Sequence, residues 1–228
     1  MIGLCCMKKT EVMHGESHVP KPIVTNIMIE NREAENVEIE NREWNLILVN
    51  SSHPIDEDYI MAISLTQLKN GQSVDSRCYP DLQRMMDDCR AEGYNPIICS
   101  SFRTNQKQQN IFNQQVNTYM KKGMNRKEAE KETKKSVAVP GTSEHELGLA
   151  VDITDAKNQK IVSGIETQPV QRWLMENSWR YGFILRYPID KSDVTGIVYE
   201  PWHYRYVGYD AAKYIYDNNI TLEEYLGL

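Results

Sequence analysis

The stretch S-E-H-E-L-G-L-A-V-D at residues 143–152 changes from polar to apolar at Gly148, and its second half has the composition of a short buried strand. We predict this strand at Leu149–Ile153. The residues that follow predict a helix and then three short strands, at about Glu166–Ser178, Phe183–Arg186, Gly196–Tyr199 and Trp202–Tyr206. Strands that cluster in this way, instead of alternating with helices, favour an α+β fold with a largely antiparallel sheet.

The residues before this stretch predict the helices that flank the sheet. Apolar residues at helical spacing mark one helix that ends near Gly93 and a second that begins after Thr104, a residue type favoured at the helix N-cap. The apolar stripe of the first helix is Leu82, Met85, Met86 and Cys89, and the second helix carries Ile111, Phe112, Val116 and Tyr119 on one face. Between them P-I-I-C-S at 96–100 predicts a buried strand, and N-L-I-L-V-N at 45–50 predicts the first strand of the domain.

The first 43 residues differ in composition from the rest of the chain. Residues 26–43 contain six Glu and two Arg with few large apolar side chains, and E-N-R-E occurs twice, at 30–33 and 40–43. Such a segment can bury little surface. We therefore predict an acidic flexible tether at 1–43 and a single catalytic domain at 44–228.

Charge and cysteine usage exclude several classes of protein. The net charge of −6 argues against nucleic-acid binding, because the only basic cluster, at 121–135, alternates with glutamates like a solvated helix face. The five cysteines are odd in number and show no C-x-x-C spacing, so neither a disulfide framework nor a cysteine zinc site is expected. We interpret Cys89 and Cys99 as buried thiols. No apolar run approaches the length of a membrane span.

Two polar groups stand out in the predicted domain. His145 and Asp152 lie seven positions apart across Gly148, and E-P-W-H-Y-R-Y at 200–206 places Glu200 and His203 beside aromatic residues. Taken alone, each group also fits a structural role, such as pairing of Glu200 with Arg on an exposed strand. Of the five histidines in the chain, however, only two lie well inside the domain, and two His with one carboxylate are a common catalytic zinc set.

The chain resembles the VanY-type family of zinc D-alanyl-D-alanine peptidases, whose relatives include VanX, VanXY and the hedgehog signalling domain. The matching motifs are S-x-H-x-x-G-x-A-x-D at 143–152, E-P-W-H at 200–203 and S-S-F-R at 100–103. The resemblance implies one Zn²⁺ per chain, bound by His145, Asp152 and His203, with Glu200 as general base. It also implies that Arg103, Gln108 and Ser143 meet the substrate's terminal carboxylate or the scissile carbonyl, and we add Trp202 and Ser100 as substrate-binding residues.

The function that the resemblance implies is a D,D-carboxypeptidase that removes the C-terminal D-alanine from peptidoglycan stem peptides or precursors, with a role in glycopeptide resistance as one expectation. In relatives that also cut the free dipeptide, an Asp stands three positions before the Arg, whereas this chain has Ser100. A D,D-dipeptidase and an L,D-carboxypeptidase remain alternatives within the fold. A zinc-binding recognition module is the alternative outside the enzymes, and a closed structural zinc site is disfavoured because such sites are usually Cys-rich.

Expectations about the cell follow from the substrate. We expect a monomer that binds cell-wall peptides and no nucleic acid. The tether suggests an anchor upstream, and thus a position on the outer face of a bacterial membrane. If Met1 is the true start, the cytoplasm is the expected location.

Overall fold

A computed structural model describes residues 43–56, 59, 63–161 and 164–228. The predicted tether at 1–43 lies outside the described residues apart from Glu43, and so do two of the cysteines and two of the histidines. In the described part of the chain, no helix combines the length and the apolar character that crossing a membrane requires.

The fold is α+β, as predicted. Its elements, in chain order, are β1 Leu65–Gln67, β2 Ser73–Asp75, α1 Tyr79–Ala91, β3 Pro96–Ser100, α2 Asn105–Lys121, α3 Arg126–Thr133, β4 Ala150–Asp155, α4 Pro169–Asn177, β5 Phe183–Leu185, α5 Ser192–Thr195, β6 His203–Tyr206, α6 Tyr209–Asn218 and α7 Leu222–Leu226. β1 and β2 form a hairpin, and the other strands form one antiparallel sheet in the order β3-β4-β6-β5. β4 and β6 are therefore the central strands.

The predicted helices form where capping and apolar spacing agree. In α1 the four apolar residues of the predicted stripe are all buried. α2 is capped by Thr104, whose side chain accepts a hydrogen bond from the backbone N–H of Lys107 at 3.2 Å. α3 lies in the predicted solvated basic segment and begins with a reciprocal capping box between Asn125 and Glu128. In α2 and α3 the capping side chain thus satisfies a backbone donor that the helix itself leaves unpaired, whereas α1 has no side-chain cap.

The main core lies between the sheet and the helices α1 and α4. It includes Val151 and Ile153 of β4 together with Met85 of α1 and Leu174 of α4, all at most 1% exposed. Burial extends over both faces of β4, because every residue from Ala150 to Thr154 is buried. A charged residue in such a strand needs a compensating partner.

The predicted strand at 45–50 is wrong. Residues 46–49 form no ladder, and the segment contributes only an isolated bridge between Asn50 and His53. The backbone carbonyls of Asn45 and Ile47 instead accept hydrogen bonds from the guanidinium of Arg205, at 3.1 and 2.8 Å. These carbonyls are satisfied by a side chain rather than by a neighbouring strand.

Three further expectations need correction. The predicted strand at 196–199 is absent, because Gly196 has a φ of 74° and ends the short helix α5. The helix predicted at 166–178 is divided into a 3-10 turn at Ile165–Thr167 and α4, which begins at Pro169. Cys89 is buried, but Cys99 is half-buried because β3 is an edge strand.

Gly182 determines how closely β5 can approach β6. It has a φ of +77°, and a Cβ placed on it would lie 2.9 Å from the ring of Tyr206 and 3.1 Å from the backbone of Gly208. A glycine is required both for the backbone conformation and for the contact. This turn therefore fixes β5 against the central strand that includes His203.

Candidate metal centre

Strand register brings the predicted metal ligands together. Asp152 of β4 lies directly opposite His203 of β6 in the antiparallel pair. His145 lies in a 3-10 turn at Glu144–Leu147, which Gly148 ends with a φ of 73° just before β4. One donor atom of each of the three residues lies within 4.8 Å of the others, and all three residues are buried. The convergence that the sequence motif implied is thus present.

The orientation of each imidazole is fixed by its second nitrogen. Nδ1 of His145 lies 2.9 Å from the carbonyl oxygen of Ser101, which leaves Nε2 facing Asp152 Oδ2 at 3.4 Å. Nε2 of His203 lies 3.2 Å from Glu144 Oε2, and its Nδ1 lies 3.2 Å from Asp152 Oδ1. Metal-binding histidines commonly have such a partner on the nitrogen that does not face the metal.

The donor set fits zinc. Asp152 Oδ1 is buried, and its 3.2 Å contact with Nδ1 of His203 lacks the angles of a hydrogen bond, so this oxygen accepts none from the described part of the chain. A buried carboxylate oxygen without a partner is costly unless a cation receives it. Two imidazole nitrogens and one carboxylate oxygen match catalytic zinc sites, in which the protein leaves a further coordination position for water or substrate.

The pKa values of the two histidines are shifted in opposite directions. Burial, together with the positive charge of Arg103, lowers the pKa of His145 to about 4, so its imidazole is neutral at pH 7, as metal binding requires. Burial would also lower the pKa of His203, but its contacts with Asp152 and Glu144 raise the pKa to about 9. Burial opposes ionisation of Asp152, yet His145 and His203 hold the pKa of this carboxyl well below its usual range.

Glu200 adjoins the three ligands without belonging to them. It precedes β6, is 7% exposed, and its Oε2 lies 3.8 Å from Nδ1 of His203. Burial raises the pKa of Glu200 to about 8. It is not paired with Arg205 on an exposed strand, because Arg205 is buried and contacts Glu144 instead. The geometry agrees with a base beside a metal, and the role itself remains a prediction.

Arg103 also reaches the centre. Its Nη2 donates to Asp152 Oδ2 at 3.0 Å, and its backbone N–H donates to the carbonyl oxygen of His145 at 3.1 Å. Nε and Nη2 donate to Ser100 Oγ at 3.1 and 2.8 Å, and Nη1 donates to Gln108 Oε1 at 3.2 Å. Ser100 and Gln108 therefore hold the guanidinium in place.

The remaining predicted substrate residues lie near the ligands in the chain. Ser143 is buried and is the N-cap residue of the 3-10 turn, but its side chain makes no capping hydrogen bond there. Trp202 is half-buried, and its carbonyl oxygen accepts a hydrogen bond from the backbone of Ile153 at 2.9 Å. Contact of either side chain with substrate remains a prediction.

A cluster of buried charged residues lies behind His203 and was not predicted from the sequence. Glu144 contacts the guanidinium groups of Arg186 and Arg205, and Arg186 also pairs with Glu223 of α7. Burial opposes the charge of Glu144, but the two arginines hold its pKa well below the usual range. For Arg205 the sequence contained a usable indication, because residues two apart in a strand share a face and Arg205 therefore lies on the same face of β6 as His203. No comparable pattern indicated Glu223, which lies in a separate helix, α7.

Comparisons with known proteins agree with this geometry. The family model of VanY, described as D-alanyl-D-alanine carboxypeptidase, matches residues 71–209. A D-alanyl-D-alanine carboxypeptidase of Enterococcus faecalis is 49% identical over 189 residues, which cover 82% of this chain and 67% of that protein. The span and the identity are sufficient to assign the family.

Solved structures of VanY proteins share the fold. VanYB in complex with D-alanine-D-alanine superposes with a TM-score of 0.75 and 50% identity, covering 81% of this chain and 98% of that one. A VanY variant from a VanB-type resistance cassette, in complex with Zn(II), has a TM-score of 0.74 and 50% identity, with 81% and 99% coverage. From the motifs, the fold and these matches, we conclude that the chain belongs to the VanY family of D-alanyl-D-alanine carboxypeptidases.

Proposed function

We propose that this protein is a zinc-dependent D,D-carboxypeptidase that hydrolyses the terminal D-Ala-D-Ala bond of peptidoglycan stem peptides and releases D-alanine. The observation that supports the proposal most directly is the convergence of His145, Asp152 and His203, with Glu200 next to His203. A recognition module would need the metal ligands but no buried carboxylate beside them. The site has both.

Three residues hold the metal in this proposal: His145 through Nε2, His203 through Nδ1, and Asp152 through its carboxylate. Zinc bound there supplies a Lewis acid that polarises the scissile carbonyl and activates water for attack. The hydrogen bond of His145 to the backbone of Ser101 and that of His203 to Glu144 keep both rings aimed at Asp152.

Glu200 moves the proton. Its burial favours the protonated form, so the carboxylate has a driving force to accept a proton from the attacking water. It then delivers this proton to the amine of the leaving D-alanine. The reaction needs no acyl-enzyme, since both histidines well inside the domain serve as metal ligands and none is left to activate Ser143 as a nucleophile.

Arg103 is placed to recognise the substrate's free carboxylate or to offset charge that develops on the scissile carbonyl. Its side chain is 15% exposed, so it combines access to a ligand with partial exclusion of water. A planar fork of N–H donors suits a carboxylate. Gln108 and Ser100 orient the fork, and Ser143 and Trp202 complete the substrate-binding residues of the proposal.

Ser100 also supports longer peptides as substrates. Its hydroxyl accepts two hydrogen bonds from Arg103, so this position offers no anion to the ammonium group of a free dipeptide. Moving that ammonium into a partly dehydrated pocket without a counter-charge is costly. A pentapeptide has a neutral amide at the same point.

In the cell, we propose that the protein acts as a monomer at the outer face of a bacterial membrane, attached through a segment before residue 44. The location of mature cell-wall peptides supports this position. Cell fractionation tests the location, and light scattering coupled to gel filtration tests the monomer.

Mass spectrometry of the products formed from a muramyl pentapeptide tests the function. We expect release of a single D-alanine, loss of activity with a chelator, and recovery on addition of zinc. Release of the dipeptide D-Ala-D-Ala, or cleavage of a tetrapeptide at an L,D bond in preference to the pentapeptide, would replace the proposal by one of its alternatives. Binding of zinc and peptide without any cleavage would favour a recognition module.

A further inference from the structure

The metal ligand His203 is backed by a cluster of four buried charged residues. Glu144 Oε1 lies 2.7 Å from Arg186 Nε and 2.9 Å from Arg205 Nη1, while Oε2 lies 3.2 Å from Nε2 of His203. Arg186 donates in addition to both carboxylate oxygens of Glu223, at 2.6 and 2.9 Å. The side chains of Glu144, Arg186 and Arg205 are fully buried, and that of Glu223 is 5% exposed.

The charges of this cluster compensate one another. Two glutamates face two arginines, so the cluster is neutral as a whole when both carboxyls are ionised. Two guanidinium groups within 3 Å of one carboxyl strongly favour its ionised form. An ionised carboxylate can only accept hydrogen bonds.

This geometry determines which nitrogen of His203 bears the proton. Because Glu144 can only accept, the Nε2 that faces it must be the N–H of the ring. When zinc is bound the ring is neutral, and its lone pair is then on Nδ1, the nitrogen that faces Asp152 Oδ1 at 3.2 Å. Rotation of the ring would break the contact with Glu144.

We propose that Glu144 is a positioning residue of the metal centre, which selects the Nε2–H tautomer of His203 and holds its Nδ1 towards the metal. The inference rests on the zinc site of the proposed function. The role is one of positioning, because the carboxylate of Glu144 contacts His203 and the two arginines. Through Arg186 and Glu223, the arrangement ties the orientation of His203 to α7, an element 20 residues further along the chain.

The cluster offers a matched pair of variants. Glu144→Asp keeps the charge beside both arginines but shortens the side chain, so its oxygen withdraws from Nε2 of His203. Glu223→Asp makes the same shortening at the other carboxylate of the cluster and leaves the contact with His203 in place. If zinc affinity falls because the charged cluster is disturbed, both variants should show the fall. If it falls because His203 is no longer positioned, only Glu144→Asp should show it.

The first measurement is zinc affinity of the full-length variants, determined by competition with a chelating indicator. We expect Glu144→Asp to weaken zinc binding by about 10- to 100-fold, as is typical when the partner of a ligating histidine is lost. Glu223→Asp should remain within about twofold of the parent. At saturating zinc, Glu144→Asp should recover most of its kcat, because the residue does not act on the substrate.

The second measurement determines the tautomer of His203 directly, first in the parent protein and then in Glu144→Asp. In the ¹⁵N-labelled, zinc-loaded parent, the imidazole spectrum should show a protonated Nε2 and a metal-bound Nδ1 for His203, and the Nε2–H signal should exchange faster with water in Glu144→Asp. The opposite tautomer in the parent, or equal zinc affinities in Glu144→Asp and the parent, would overturn the inference. Equal losses in both Asp variants would do so too. A parent that binds no zinc would instead refute the metal centre of the proposed function.

Discussion

Replacement of Arg103 by Lys isolates the value of the guanidinium fork. The side chain uses all three of its nitrogens, donating to Ser100, Gln108 and Asp152 at distances between 2.8 and 3.2 Å. A Lys ammonium retains the charge but offers one nitrogen, so it cannot hold these partners and a substrate carboxylate together. Loss of one charge-assisted hydrogen bond costs about 1.5 to 3 kcal/mol, which corresponds to a fall of about 10- to 150-fold in kcat/KM.

The assay is the steady-state release of D-alanine from a pentapeptide, with zinc content measured on the same samples. Arg77→Lys is the control, because Arg77 makes a similar fork to Asp75, at 2.9 and 2.5 Å, and also contacts Trp44. We expect the control to change kcat/KM by less than about twofold. An unchanged kcat/KM in Arg103→Lys would refute the assignment and make Arg103 a structural partner of Asp152.

Three further predictions follow from the site and the fold. Glu200→Gln should retain stoichiometric zinc and lose about 100-fold or more in rate, whereas His203→Ala should lose zinc affinity. Metal analysis and kinetics on the same samples distinguish the two effects. Near-normal turnover in either variant would contradict the role of Glu200 as base or of His203 as metal ligand. A peptide ending in D-Ala-D-Ala should be cut at least about tenfold more efficiently than the free dipeptide, and Ser100→Asp should narrow the gap; equal kcat/KM values would favour the dipeptidase. Gly182→Ala should lower the free energy of unfolding, measured in urea, by more than about 1 kcal/mol. Gly164→Ala is the control and should cost less, because Gly164 has a similar φ but no atom within 4 Å of an added Cβ. Equal losses in the two variants would show that the contact with Tyr206 is unimportant.

Local sequence patterns predicted local structure well. The apolar stripe of α1, the N-cap of α2 at Thr104 and the short strands at 96–100 and 149–153 depend on interactions between residues close in the chain. The same holds for the polar half of the metal motif, where Gly148 permits the turn between His145 and β4. The prediction of a strand at 196–199 was wrong because it relied on a short apolar pattern, whereas Gly196 takes a left-handed conformation and ends a helix there.

The identities of the metal donors were determined by the sequence, since few histidines are present and two of them lie in specific motifs. Tertiary structure decided how those donors are oriented. The register that sets Asp152 against His203, and the contact of Arg205 with the carbonyl of Asn45, 160 positions away, depend on chain folding that no local pattern encodes. A buried charged residue such as Glu144 looks like a surface residue in the sequence. Its burial costs free energy that only oppositely charged partners can offset, and the fold alone brings those partners together.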